Sequence, residues 1–225
     1  MNVSRKGLFI VFEGLDGAGT TTQTRLLAAR LAQRTPTVMT AATAEPSTGP
    51  AGSVIRQVLR HRVRGTDCFG KDKPFDPGAL ALLFAADRLD HYSCEIEPVL
   101  DSGGVAISDR YKLSSLAYQA LDVPFEWIAS INSLAPEPDL LFFLDVSPEV
   151  AWNRVSMNRI TRDIFEVPEI LRQVHANYNK ALERMDRDKV VIIPGETPAD
   201  SIADIVWHHV AGRIPAAQGG QEPVN

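Results

Sequence analysis

The stretch Phe12-Glu13-Gly14-Leu15-Asp16-Gly17-Ala18-Gly19-Thr20-Thr21-Thr22-Gln23 constrains this chain more than any other. An apolar run, Leu8 to Phe12, leads into it, and a helix-like stretch, Thr22 to Arg34, follows. Strand, glycine-rich turn and helix make a phosphate cradle. Glycines let backbone N–H groups converge on an anion, and the helix N-terminus adds its positive dipole end. The spacing agrees with G-x-x-x-x-G-K-[ST] at every fixed position but one. Gly14 and Gly19 are in place, and Thr21 stands where a Mg²⁺-binding hydroxyl belongs. The lysine position holds Thr20.

Around this loop, short apolar runs alternate with helical periodicity, the pattern of an α/β fold with a mostly parallel sheet. Five runs read as buried strands: Leu8–Phe12, Thr37–Ala41, Val105–Ser108, Leu140–Leu144 and Val190–Ile193. Helical patterns follow at Val54-Ile55-Val58-Leu59 and at Ala79–Leu100. Another opens at Pro148 with Ser147 as N-cap. A further one spans Ile164–Arg187, with Pro168 in or near its first turn, and the last is capped by Thr197-Pro198. The expected architecture is α/β, a three-layer α/β/α fold of the P-loop NTPase type. Its sheet is expected to hold five parallel strands. At 225 residues and 44% hydrophobic, the chain suits one domain, 1–214, with a polar tail, 215–225, expected to fray. Arg62 to Pro77 reads as a surface excursion.

A net charge of −5 argues against nucleic acid as the main partner. Cys68 and Cys94 form no disulfide framework. No apolar run nears the ~18 residues of a membrane helix, and no signal peptide is visible. A cytoplasmic protein without a membrane partner is expected.

A strand-ending carboxylate is the second chemical element. Val105-Ala106-Ile107-Ser108-Asp109-Arg110-Tyr111 places Asp109 and Arg110 just past an apolar strand. Ligands of parallel α/β sheets bind at that end. Asp109 can hold Mg²⁺ or its water shell, and the planar fork of Arg110 can clamp a phosphate. Phe84, Asp87 and Arg88 share one helix face. An aromatic beside an arginine suits a planar base, although spacing alone favours Phe84 as core. A basic segment, Arg154 through Arg162, puts Arg154, Asn158, Arg159 and Arg162 near one face.

Taken in order, the motifs resemble those of thymidylate kinases, the P-loop enzymes that phosphorylate dTMP. They are Phe12 to Gly19, Glu45-Pro46, Leu82-Leu83-Phe84-Ala85-Ala86-Asp87-Arg88, Ser108-Asp109-Arg110-Tyr111 with Ser114 to Gln119, and Leu144 to Glu149. The resemblance covers about Leu8 to Trp207. It implies ATP as donor, with Gly14, Asp16, Gly17, Ala18, Gly19, Thr20, Thr21 and Thr22 around it and Mg²⁺ at Thr21 and Asp109. It implies a dTMP site of Asp16, Pro46, Arg56, Phe84, Arg88, Arg110, Ser115, Tyr118 and Gln119. Phe84 would stack on thymine and Arg88 would reach its carbonyl edge. Arg56 and Arg110 would hold the monophosphate, and Asp16 would take the 3′-hydroxyl. Tyr118 would disfavour a ribose, although packing alone accounts for it equally. The segment 154–166 would be the lid, whose Arg154, Arg159 and Arg162 would join Asp109 and Arg110 in catalysis. A homodimer is the usual state of the family.

Three departures stand against this. Ala44 precedes Glu45-Pro46 where bacterial members often have arginine, and Ser47-Thr48 replaces a glycine pair. The larger departure is Thr20, which brings no charge to the donor phosphates. Charge-assisted hydrogen bonds are roughly twice as strong as neutral ones. Either another cation moves in, Arg159 or Arg162 first, or catalysis is lost and a nucleotide-binding protein remains. The intact remainder of the site favours an active kinase. A kinase for another pyrimidine monophosphate is the nearest alternative.

Overall fold

A computed structural model describes residues 7–158 and 168–215. The chain begins with β1 (Leu8–Gly14), α1 (Thr20–Arg34), β2 (Thr40–Ala44) and α2 (Pro50–Leu59). A short hairpin, β3 (Gly65–Thr66) and β4 (Asp72–Lys73), leads to α3 (Pro77–His91) and α4 (Glu97–Asp101). Then come β5 (Val105–Asp109), α5 (Lys112–Tyr118), α6 (Phe125–Ile131) and β6 (Leu140–Asp145). The last described elements are α7 (Pro148–Asn158), α8 (Pro168–Leu182), β7 (Val190–Pro194) and α9 (Ala199–Ala211).

The main sheet has five parallel strands in the order β2-β5-β1-β6-β7. Helices cover both of its faces, as the P-loop NTPase type requires. The reason is visible in β1, where Phe9 to Phe12 are wholly buried. Leu8, Ile10 and Phe12 pack into one apolar cluster, while Phe9 and Val11 pack into another with Ile96 and Val99. A strand buried on both faces is a continuous apolar run. Each such side chain contributes about 1.5–3 kcal/mol on burial.

Several boundaries differ from those expected. β2 runs over Thr40–Ala44 rather than Thr37–Ala41. It is an edge strand paired only with β5, so the register Thr40↔Val105 to Ala44↔Asp109 sets it, not its own hydrophobicity. The long third helix is broken into α3, a widened π turn at Tyr92–Ile96, and α4. Pro98 has no N–H to give and crowds the carbonyl four residues back, and the turn before it widens. Asp76 starts α3 by accepting from the Ala79 N–H at 2.8 Å. Ser147 stands at the N-cap of α7 as expected, its carbonyl accepting the Ala151 N–H at 3.0 Å, and Pro198 of the expected pair stands at the N-cap of α9. The Ser147 hydroxyl donates to Glu196, and α9 has no side-chain cap. Pro168 is the first residue of α8, where its missing N–H is harmless. The 62–77 excursion is a surface hairpin whose turn is held by Asp67, which accepts from the N–H groups of Phe69 and Lys71. Helix α6 was not foreseen. The tail expected over 215–225 lies, beyond Pro215, outside the described residues.

Candidate active site

Strands β1 and β5 are neighbours, so their C-terminal ends deliver the loop and Asp109-Arg110 to one place. After β1 the chain turns tightly. Gly17 has φ 86°, and a Cβ there would lie 2.8 Å from the Ala151 carbonyl of α7. Glycine is therefore required for the loop to lie against α7. Helix α1 begins after Gly19 with no side-chain cap and no acidic residue in its first turn. Its first N–H groups stay available to an anion.

A cavity of about 500 Å³ opens over these residues. It is lined by Asp16 to Gln23, Arg110 and Arg154, with Gly195 and Thr197 from the loop after β7. Every loop residue expected on the donor side except Gly14 lines it. Arg154 reaches it from α7, donating to the Gly17 carbonyl at 3.2 Å and the Gly195 carbonyl at 3.0 Å. Arg159 and Arg162 lie outside the described residues, as does the lid beyond Asn158.

At the floor, the Thr21 hydroxyl donates to Asp109 Oδ2 at 2.5 Å. The other oxygen, Asp109 Oδ1, is buried and has no hydrogen-bond partner among the described residues. A lone buried carboxylate oxygen beside a threonine hydroxyl is an oxygen donor set that fits Mg²⁺.

A second cavity, of about 150 Å³, adjoins the first and shares Asp16 and Arg110 with it. It gathers Pro46, Phe84, Arg88, Ser115, Tyr118 and Gln119 from three separated motifs. Arg110 adopts φ 72°, in the left-handed region that non-glycine residues rarely occupy. Its guanidinium donates to Asp16 at 2.7 Å and lies 5.3 Å from the Tyr118 ring centre. Tyr118 in turn donates to Asp16 Oδ2 at 3.2 Å. Gln119 Oε1 is buried without a partner among the described residues.

Arg88 is almost wholly buried. Its Nε and Nη2 donate to Glu45 Oε2 at 3.0 and 2.6 Å, and Nη2 also reaches Ser115 and the Tyr111 carbonyl. Nη1 donates to Asn132, from just beyond α6. Nη1 carries a second N–H beyond this bond, and Arg88 is among the residues that line the cavity. Phe84 does both jobs weighed for it: it lines the cavity and packs on Ile55, Val58 and Leu80.

Arg56 is placed differently from the rest. It does not line the cavity but donates to the carbonyls of Pro46, at 2.8 Å, and Ser47. The loop it grips contains the cis Glu45–Pro46 peptide. The same loop is held by Asp87, which accepts from the Ser47 N–H at 2.7 Å and its hydroxyl at 2.6 Å. Gly52 of α2 lies beneath it, where a Cβ would come within 2.1 Å of the Ser47 carbonyl.

Sequence reasoning assigned no role to Asp87, Asn132, Glu13 or Tyr178. Glu13 is wholly buried, and burial pushes its carboxyl up to about 7 against the hydrogen bonds of Ser114 and the charge of Arg110. A charged residue inside an apolar strand was the available signal.

The family model described as thymidylate kinase matches residues 12–205. The chain belongs to the thymidylate kinase family. It is 38% identical over 185 residues to the probable thymidylate kinase of Thermococcus kodakarensis, covering 82% of this chain and 88% of that one. It is 40% identical over 201 residues to the probable thymidylate kinase of Pyrobaculum calidifontis, at 88% and 94% coverage. The match to the probable thymidylate kinase of Pyrococcus horikoshii is 36% over 210 residues, at 92% and 99% coverage. Each of these pairings spans most of both chains, so the similarity is to the whole domain and not to the phosphate loop alone. Among the described residues, no helix is long and apolar enough to cross a membrane.

Proposed function

We infer that this member of the thymidylate kinase family transfers the γ-phosphoryl group of ATP to dTMP, giving dTDP and ADP. The observation that carries the reading is the meeting of a donor cavity and an acceptor cavity at Asp16 and Arg110. An oxygen of the dTMP phosphate attacks the γ-phosphorus while the bond to the β-phosphate oxygen breaks. Transfer is direct and in line, without a covalent enzyme intermediate. Catalysis is then positioning plus neutralisation of charge.

On the donor side, N–H groups from Gly14 through Thr22 surround the phosphates. Thr21 and Asp109 would hold Mg²⁺, which supplies charge neutralisation for the donor phosphates when bound. Arg154 provides a guanidinium at the mouth of the loop, with Arg159 and Arg162 following on the lid.

On the acceptor side, Arg110 holds the monophosphate. Arg56 serves it indirectly, by fixing the Pro46 loop. Phe84 and Pro46 flank the base, while Asp16 and Tyr118 face the sugar. The free N–H of Arg88 meets a base carbonyl, and Gln119 Oε1 suits the N3–H beside it. Arginine donates and cannot accept, so the pocket favours a 4-oxo base over the 4-amino group of cytosine. Initial rates with dTMP, dUMP, dCMP and UMP test this. dTMP is expected to lead, and dCMP to be slower by about 10²-fold or more, given a buried donor left unpaired. Equal rates with dTMP and dCMP would remove the substrate assignment, and no turnover with any of them would leave a binding protein.

Helix α3 presents Leu82, Ala86 and Leu89 to solvent, with Leu82 half exposed. These positions share one stripe, and a second copy of the chain is the proposed cover. Light scattering is expected to give a dimer mass for the natural protein and a monomer mass for Leu82→Lys. A monomer mass for both would reject the pairing.

A further inference from the structure

Arg110 is held from behind by two hydroxyls that come from different parts of the chain. Its Nη1 has three acceptors within reach, Ser114 Oγ at 3.1 Å, Tyr178 OH at 3.2 Å and the Gly14 carbonyl at 2.9 Å, which share its two hydrogens. Ser114 is on α5, whereas Tyr178 is on α8, the helix that follows residues 159–167. Behind both hydroxyls lies Glu13. Its Oε2 accepts from Ser114 Oγ at 2.5 Å and from Tyr178 OH at 3.1 Å. Its Oε1 accepts the backbone N–H groups of Tyr111 at 2.9 Å and Ser114 at 3.0 Å.

The direction of these bonds follows from the groups themselves. A guanidinium only donates, and an ionised carboxylate only accepts. Each hydroxyl has a single hydrogen. To accept from Arg110, both must turn that hydrogen elsewhere, and Glu13 is the acceptor they share. Tyr178 has a second outlet in the Gly14 carbonyl at 3.0 Å. Without Glu13, Ser114 would turn its hydrogen onto Tyr178, 2.9 Å away, and Tyr178 its own onto the Gly14 carbonyl, so both hydroxyls would lose the carboxylate that fixes their place against Arg110. We propose that Glu13 is a positioning residue that acts through Ser114 and Tyr178 to aim Arg110 at the acceptor phosphate.

This rests on the reading that Arg110 holds that phosphate. On the cavity side the Arg110 guanidinium meets Asp16 and the Tyr118 ring, both of which line the acceptor cavity, so its hold away from the cavity falls to Ser114 and Tyr178. A buried carboxylate is a costly way to fill a strand end, and Glu13 is pressed toward its neutral form by burial. Four donors on its two oxygens favour the charged form. Tyr178, wholly buried, thereby links α8 to the end of β1 and to the acceptor clamp.

A double-mutant cycle decides the matter. Tyr178→Phe, Ser114→Ala and Glu13→Gln are made in the natural chain and with Arg110→Ala. Calorimetric dTMP affinity, KM for each substrate, kcat and thermal midpoint are measured. Loss of one bond to a charged group gives about a tenfold weaker dTMP affinity. Tyr178→Phe and Ser114→Ala are each expected to show that loss, with KM for ATP unchanged. Glu13→Gln, which places an N–H₂ donor against the hydroxyls, is expected to show more. With Arg110→Ala, the added effect of Tyr178→Phe or Ser114→Ala should vanish. Effects that multiply independently of Arg110, or a lower midpoint with dTMP affinity unchanged, would overturn the relay alone. Unchanged dTMP affinity in Arg110→Ala would overturn the reading of Arg110, and the relay with it.

Discussion

Arg88→Met is expected to lower stability by about 3–5 kcal/mol, the range for breaking one side of a buried ion pair. The Arg88 and Glu45 side chains are 1% and 3% exposed. Removing the guanidinium strands the Glu45 carboxylate in the interior, where His91 Nδ1 at 3.2 Å is its remaining polar neighbour. Ser115, Asn132 and the Tyr111 carbonyl lose a donor at the same time. For a chain of this size the thermal midpoint should fall by roughly 6–20 °C, at ~2–4 °C per kcal/mol. Adding Glu45→Gln should recover part of the loss, because no bare charge is then left behind. A decrease under about 1 kcal/mol, or no recovery in the double variant, would show that the pair is not what holds this corner. Any protein that folds should bind dTMP weakly, since the proposed acceptor site sets the remaining Arg88 N–H against the base.

Arg154→Ala is expected to lower kcat by ~10²–10³-fold, the cost of removing one aimed donor from a developing charge. The KM for dTMP should barely move, because Arg154 lines the donor cavity alone. In most P-loop sites a lysine occupies position 20; here Thr20 is buried and neutral. Thr20→Lys in the Arg154→Ala protein should therefore restore a measurable part of kcat. Unchanged kcat in Arg154→Ala would assign the missing charge to another cation, Arg159 or Arg162 first. Silence of the natural chain with activity in Thr20→Lys would end the kinase reading of the natural protein.

Much of the fold was legible because its signals are local. A glycine-rich turn between an apolar run and a helix states its own geometry, and the buried strands of a parallel sheet announce themselves by unbroken hydrophobicity. β2 was misplaced because an edge strand takes its register from its neighbour; Thr40 to Ala44 carry little hydrophobic signal of their own. The acceptor residues were legible as motifs on helix faces and strand ends. What stands behind them was not. Tyr178 meets Glu13 across 165 positions, and Asn132 meets Arg88 across 44. No periodicity links residues so far apart.

The phosphate loop, the strand-end Asp109-Arg110 and the order of the motifs needed nothing but the chain itself, because each depends on neighbours in sequence. The tertiary structure decided which charges face which. It turned Arg56 onto the Pro46 loop, brought Arg154 to the Gly17 carbonyl and closed the ring of Glu13, Ser114 and Tyr178 around Arg110. Hydrogen bonds and ion pairs act over a few ångströms, and only folding brings residues from β1, α5, α7 and α8 within that reach.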